Sequence, residues 1–205
     1  MKRKNTFLSF VFIVCALILS FLPGSSKAEN INLTTDVLET LQLSVSSGTY
    51  AFGNLTPGVP LKGSGGINIE ITTSSANGYN LAISDGVAGT NSALVHSDTT
   101  TRIPDASALI AAPALWVSGT TKGLGVTVYS ATTSKEVKWG TGTTYNDNNN
   151  KYSGIPETAT TIHNSPGFKE GVDTTSISFI LDVANSQKTG SYAGDVILSA
   201  TAVLN

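Results

Sequence analysis

Two histidines, one cysteine and two tryptophans narrow the chemistry open to this chain of 205 residues. Zinc sites draw on His, Cys and carboxylates at short regular spacings, and neither His96 nor His163 has such a set around it. Both read as solvated loop residues. A serine-hydrolase elbow needs G-x-S-x-G, but "GSYAG" at Gly190–Gly194 carries Tyr192 in the nucleophile's place. A phosphate loop needs its lysine after the glycines, whereas "KGSGG" puts Lys62 before them. Asn146, Asn148, Asn150 and Glu157 fall at positions 1, 3, 5 and 12 of a calcium-type loop, yet Lys151 stands where glycine is required and half the charge is missing. A solvated Asn-rich turn is the better reading. No catalytic residue, metal ligand or cofactor site is read from the sequence. What remains for recognition is flat aromatic surface: Trp139, Tyr145 and Tyr152 flank the polar loop and are the candidates for stacking on sugar rings. The rival reading buries Trp116 and Trp139 as core plugs.

These side chains must be positioned by strands. Leu41, Leu43 and Val45 alternate with polar residues, as do Ile67, Ile69 and Ile71, the period that turns one face of a strand toward a core. Asn77-Gly78 follows, a dipeptide suited to a two-residue hairpin turn, and Tyr79, Leu81 and Ile83 form the returning strand. Ile177, Phe179, Leu181 and Val183 make a central strand, linked through "ANSQKTGSYAGD" to a last strand over 196–205. Between them, 85–175 is loop-rich, with strands predicted over 114–118, 125–131 and 136–139 and a short helix over 105–112. The Gly- and Pro-rich stretch "YAFGNLTPGVPLKGSGG", residues 50–66, lies between two alternating strands with no helix after it to hold a phosphate. It reads as a crossover between sheets, with Pro57-Gly58 as a turn and Tyr50 and Phe52 as packing residues.

The first residues have the pattern of an export signal. Lys2, Arg3 and Lys4 precede an apolar run over 7–22, Pro23-Gly24 breaks it, and Ser26-Lys27-Ala28 suits cleavage after Ala28. Cys15 sits inside that run, so residues 29–205 contain no thiol and no disulfide. Membrane contact is then expected only through the signal before cleavage. The signal also takes four of the 12 basic residues, leaving a mature chain dominated by its 14 Asp and Glu, a balance that argues against nucleic acid. Rich in Thr, Ser, Gly and Asn and lacking a long helix-period segment, residues 29–205 read as one all-β domain. The expected architecture is an Ig-like or jelly-roll-type antiparallel β-sandwich of about 7–9 strands, with a closed barrel as the rival.

The stretches "LSVSSGTYAFGNLTPGVP", "TTSSANGYNL", "VKWGTGTTYNDNNNKYSGIPETATTIH" and "DVANSQKTGSYAGDVILSATAVL" together resemble a family of secreted bacterial surface proteins. The first and last are also distantly similar to WxL cell-wall-binding domains, camelysin-like biofilm-fibre proteins and spore-coat U-type sandwiches. WxL domains carry Trp-x-Leu twice, whereas Trp116 is followed here by Val-Ser and Trp139 by Gly-Thr. The resemblance implies an extracellular, cell-surface location and a structural or adhesive role without a reaction. Its implied partners are envelope polymers or other surface proteins. The terminal strand reads first as central and fully paired within its own domain; the rival reading places it at a sheet edge, where the lack of proline or charge after Asp195 would let it self-assemble with other copies. Two other functions compete with this one: a carbohydrate- or wall-binding module using Trp139, Tyr145 and Tyr152, and, ranked last, an exported hydrolase.

Overall fold

The computed structural model describes residues 34–35, 37–86 and 94–204. The proposed signal over 1–28 lies outside the described residues. A compact unit spans Leu38–Asn205 and is all-β. Its strands are β1 (Leu41–Val45), β2 (Leu61–Lys62), β3 (Ile67–Thr73), β4 (Gly78–Asp85), β5 (Leu94–His96), β6 (Arg102–Ile103) and β7 (Ala114–Leu115). After them come β8 (Gly123–Ala131), β9 (Lys151–Tyr152), β10 (Thr160–Pro166), β11 (Asp173–Asp182), β12 (Tyr192–Ala193) and β13 (Val196–Ala202). Every pairing between these strands is antiparallel.

One sheet runs β1-β3-β11, with β8 on the far side of β11 and β2 extending the β3 side of β11 at residues 180–181. A second runs β10-β4-β13. Smaller pairings, β12-β5-β6 and β7-β9, accompany them. The inner faces of the two large sheets share one core: Ile67, Ile69 and Ile71 of β3, Tyr79, Leu81 and Ile83 of β4, Val126 and Val128 of β8, and Ile177 and Phe179 of β11. Burial along β3 follows the sequence period, with its isoleucines inside and Asn68 and Glu70 exposed. β11 is almost wholly buried on both faces, as suits a strand paired along both edges. Its outer face is covered by the middle of the chain, where Ser178 Oγ donates to the Tyr145 carbonyl at 3.1 Å.

Several connections differ from the sequence reading. Asn77-Gly78 is not a hairpin, because β3 and β4 belong to different sheets. The chain arches from one sheet to the other, so the two apolar faces meet through side chains instead of sharing a ladder. Alternation followed by Asn-Gly is common to both arrangements, and the sequence does not separate them. Gly78 has φ 80° and its Cα lies against the Ser165 carbonyl, leaving no room for a β-carbon. The Gly-rich stretch 50–66 is not a crossover, since β1, β2 and β3 all lie in one sheet. It is an excursion that closes over the end of β11. Thr56–Val59 form a turn with the Val59 N–H on the Thr56 carbonyl, and Gly58 takes φ 82°. The Gly58 N–H then reaches both the Val183 carbonyl and Asp182 Oδ1, each at 3.0 Å. Residues 105–112 form turns and isolated bridges instead of a helix, and the strand predicted over 136–139 is a 3-10 turn at Val137–Trp139.

Candidate functional site

The three aromatic candidates do not build a stacking platform. The 3-10 turn points Trp139 inward, where it is fully buried and its Nε1–H donates to the Ile162 carbonyl at 2.9 Å. Tyr152 is buried against Trp116, ring edge to face at 5.9 Å, and burial pushes its phenol up to about 12. Tyr145 is half-buried in the loop over 141–150. The stacking reading is corrected accordingly: Trp139 and Tyr152 keep their rings inside the protein because a large flat side chain gains more from core burial than from exposure.

The Asn-rich loop also has an occupant. Lys62 on β2 donates its ammonium to the carbonyls of Asn146 (2.7 Å) and Asp147 (3.2 Å) and to Asn148 Oδ1 (3.0 Å). Lys135 donates to the Gly142 carbonyl. Of the side-chain oxygens that a calcium-type loop would turn toward a metal, Asn148 Oδ1 is taken by the Lys62 ammonium and Asn146 Oδ1 accepts the Thr144 hydroxyl at 3.0 Å. Asp147 spends its own carboxylate on the Thr143 and Asn149 N–H groups, and these bonds, the Asn149 one foremost, hold it below the usual carboxylate range. Among the described residues no group of three or more His, Cys, Asp and Glu converges in a way that could hold a metal.

Neither histidine is a solvated loop residue. His96 ends β5 and is 7% exposed; its Nδ1 accepts the Asp98 N–H at 3.0 Å and its Nε2 lies 3.2 Å from the Thr189 carbonyl. Its ring meets Tyr192 edge to face at 4.9 Å. Asp98 gathers the N–H groups of Thr100 and Thr101, the Thr101 hydroxyl and the Lys188 ammonium, the last at 2.8 Å, and that set holds its carboxyl far below the ordinary range, Lys188 first. This cluster pins the loop after β5 to the segment before β12.

His163 lies on β10, fully buried, with neither ring nitrogen hydrogen-bonded. Burial lowers its pKa from the ordinary value. Nearby, Asp173 accepts from Tyr79 Oη (3.1 Å), Ser165 Oγ (2.7 Å), the Thr133 N–H (3.2 Å) and the Thr133 hydroxyl. Burial pushes the Asp173 carboxyl up, but the hydrogen bonds from Thr133, Ser165 and Tyr79 outweigh it and leave the group below its usual value. The set contains a serine, a histidine and an aspartate, yet the aspartate bonds the serine directly and the histidine bonds neither. That is a sealed structural knot tying β4, β10 and β11 together, without the nucleophile-to-base-to-acid order of a hydrolase.

A concave feature lies elsewhere, between the edges of the two main sheets. β1 is paired only with β3 and β13 only with β4; among the described residues their outer edges carry no strand. A groove of about 380 Å³ opens between them. Leu43 and Val45 form one wall, Val196 and Leu198 the other, and Tyr50, Phe52 and Phe179 lie among its lining residues. Tyr50 packs edge to face on Phe179 at 5.0 Å and on Phe52 at 5.2 Å, and its hydroxyl donates to the Gly65 carbonyl at 3.0 Å. Core-facing residues of both edge strands, Leu41, Leu43, Val196, Leu198 and Ala200, are only half-buried. Among the described residues the core is thus uncovered along this side. The sequence reading missed the groove. Its trace was two strands with a clean apolar face and no lysine or proline to blunt them.

No family model matches the chain, and no curated protein matches it.

Proposed function

We propose that this is a secreted, non-enzymatic structural protein of the bacterial cell surface, an Ig-like or jelly-roll-type β-sandwich that assembles with other chains through its open side. One observation carries the reading: β1 and β13 leave two parallel demands unmet along one groove, half-buried apolar side chains and free backbone groups. A small molecule could fill the first demand, whereas an added strand answers both. The resemblance to secreted surface proteins agrees with this role, as does an acidic chain rich in Thr, Ser and Gly. The wall-binding alternative loses its basis with Trp139 and Tyr152 inside the core.

Ala200→Pro tests the reading. On β13 the Val203 N–H bonds the Gly78 carbonyl of β4, so by the alternation of an antiparallel ladder the N–H of Ala200 points to the free edge. Proline there removes an edge donor and spares the bonds to β4. Light scattering across a concentration series should show the native chain growing into larger species and the variant remaining monomeric with its fold intact. A native chain that stays monomeric at every concentration, or oligomers that ignore the proline, would sink the proposal.

A further inference from the structure

A lysine amine and a carboxylate can join as an amide, with loss of water and without an oxidant, when the two are held together out of solvent. Lys138 with Glu136 and Lys188 with Asp98 are pairs whose carboxylates face water. Lys122 with Asp182 differs. Asp182 ends β11 and is fully buried, and the Lys122 ammonium lies 2.8 Å from its Oδ2. Residues 29–205 contain no cysteine, so a disulfide is not open to them as a covalent tie.

Both partners are held in place. Gly123, the first residue of β8, pairs with Asp182 across the β8–β11 ladder, so Lys122 stands one residue from the partner of the carboxylate it meets. Ahead of Lys122, a turn is tied by the Thr120 and Thr121 N–H groups on the Val117 carbonyl and by the Val117 N–H on Thr121 Oγ1. From the other side the Gly58 N–H holds Asp182 Oδ1 at 3.0 Å. The two oxygens therefore have separate surroundings. Oδ2 meets the amine, and Oδ1 has a backbone donor at the place where charge develops when nitrogen adds to Cγ. A buried ion pair also bears the desolvation cost of its carboxylate, which a neutral amide removes.

We propose that Lys122 and Asp182 form an intramolecular amide, a self-modification that ties the start of β8 to the end of β11. One ammonium proton passes to Oδ2, leaving a neutral amine and a carboxylic acid. The amine lone pair adds to Cγ, which makes the N–C bond and puts negative charge on Oδ1 beside the Gly58 N–H. A second proton passes from nitrogen to Oδ2, the Cγ–Oδ2 bond breaks, and Oδ2 leaves as water while the Oδ1 carbonyl reforms. The nitrogen supplies both protons of that water, so no further reactant takes part. The tie joins residues 60 apart in sequence and restricts the unfolded chain as a disulfide would. Neither residue lines the groove, so the amide is independent of the assembly reading.

Intact mass spectrometry of the purified chain, unfolded in denaturant, tests it. The native chain should be lighter by one water than the sequence from its observed N-terminus requires. Trypsin should fail to cut after Lys122, whose acylated nitrogen no longer carries a charge, and should release a branched peptide holding both Lys122 and Asp182. Lys122→Arg keeps the ion pair but replaces the amine by a guanidinium, a poor nucleophile, and should have its full mass. A native chain of full mass overturns the proposal. So does a loss of water that persists in Lys122→Arg or maps to other residues. Should Lys122→Arg fail to fold, fragmentation of the native chain's tryptic peptides decides alone: a branched peptide joined at these two residues supports the amide, and separate linear peptides sink it.

Discussion

At the scale of single residues, the chain places its chemically capable side chains where they hold structure. Trp139 is the clearest case. Its indole is sealed in the core with its N–H on Ile162, so Trp139→Ala should cost about 3–5 kcal/mol, measured by urea unfolding, while retention on glycans or cell-wall material stays unchanged. A selective loss of glycan binding in a still-folded variant would restore the stacking role. Asp173 and His163 predict a response to acid. The His163 pKa in the fold is below the ordinary 6.5, so an unfolded chain takes up a proton that the folded one refuses, and stability falls as pH drops below about that value. The Asp173 pKa is likewise below the ordinary 3.8, so its contribution is intact above that value and disappears as pH falls through the lowered one. Thermal melts should therefore show two declines, a first between about pH 7 and pH 5 and a second in strong acid. His163→Leu, which fills the site without a titratable group, should remove the first decline alone. An unchanged first decline in that variant would assign it to another group.

At the scale of elements, periodicity told which residues would face a core but not which strands would pair. Ile67–Ile71 and Tyr79–Ile83 have the same alternation whether they form a hairpin or an arch, and only the long-range ladder of β4 with β10 and β13 decides between them. The last strand posed the same problem. Its alternation suited a fully paired strand, the reading favoured from sequence, yet it lies at an edge of the β10-β4-β13 sheet. The middle of the chain was least legible, because two-residue strands and a single 3-10 turn are set by bridges such as Val126–Ser153 that no local pattern announces. Both histidines were misread for a related reason: a polar residue in a short strand resembles a loop until its covering element is known. The arch itself makes a prediction. With φ 80° and the Ser165 carbonyl 1.8 Å from where a β-carbon would be, Gly78→Ala must shift β4 against β10 and should cost more than the roughly 1 kcal/mol of an ordinary Gly→Ala change at positive φ. A loss of well under that amount in chemical denaturation would mean that the arch relaxes freely.

At the scale of the whole molecule, an uncovered core side links stability to assembly. A sandwich whose inner faces are closed on every side has a melting temperature independent of its own concentration. Among the described residues nothing covers the half-buried Leu43, Val196 and Leu198 that line the groove, so an occupant there would add apolar burial. A partner that binds the folded state alone stabilises it by mass action, reaching about 2.7 kcal/mol when its free concentration is a hundred times the dissociation constant. If the partner is a second copy, protein concentration itself sets that gain. Calorimetric scans over a wide dilution series should then show the native chain melting higher as it is concentrated. The Ala200→Pro chain should melt at one low temperature throughout, because its edge no longer accepts a strand. Melting that ignores concentration would mean that the groove gains nothing from a second copy, and the open side of the two sheets would then be a stable surface of a solitary protein.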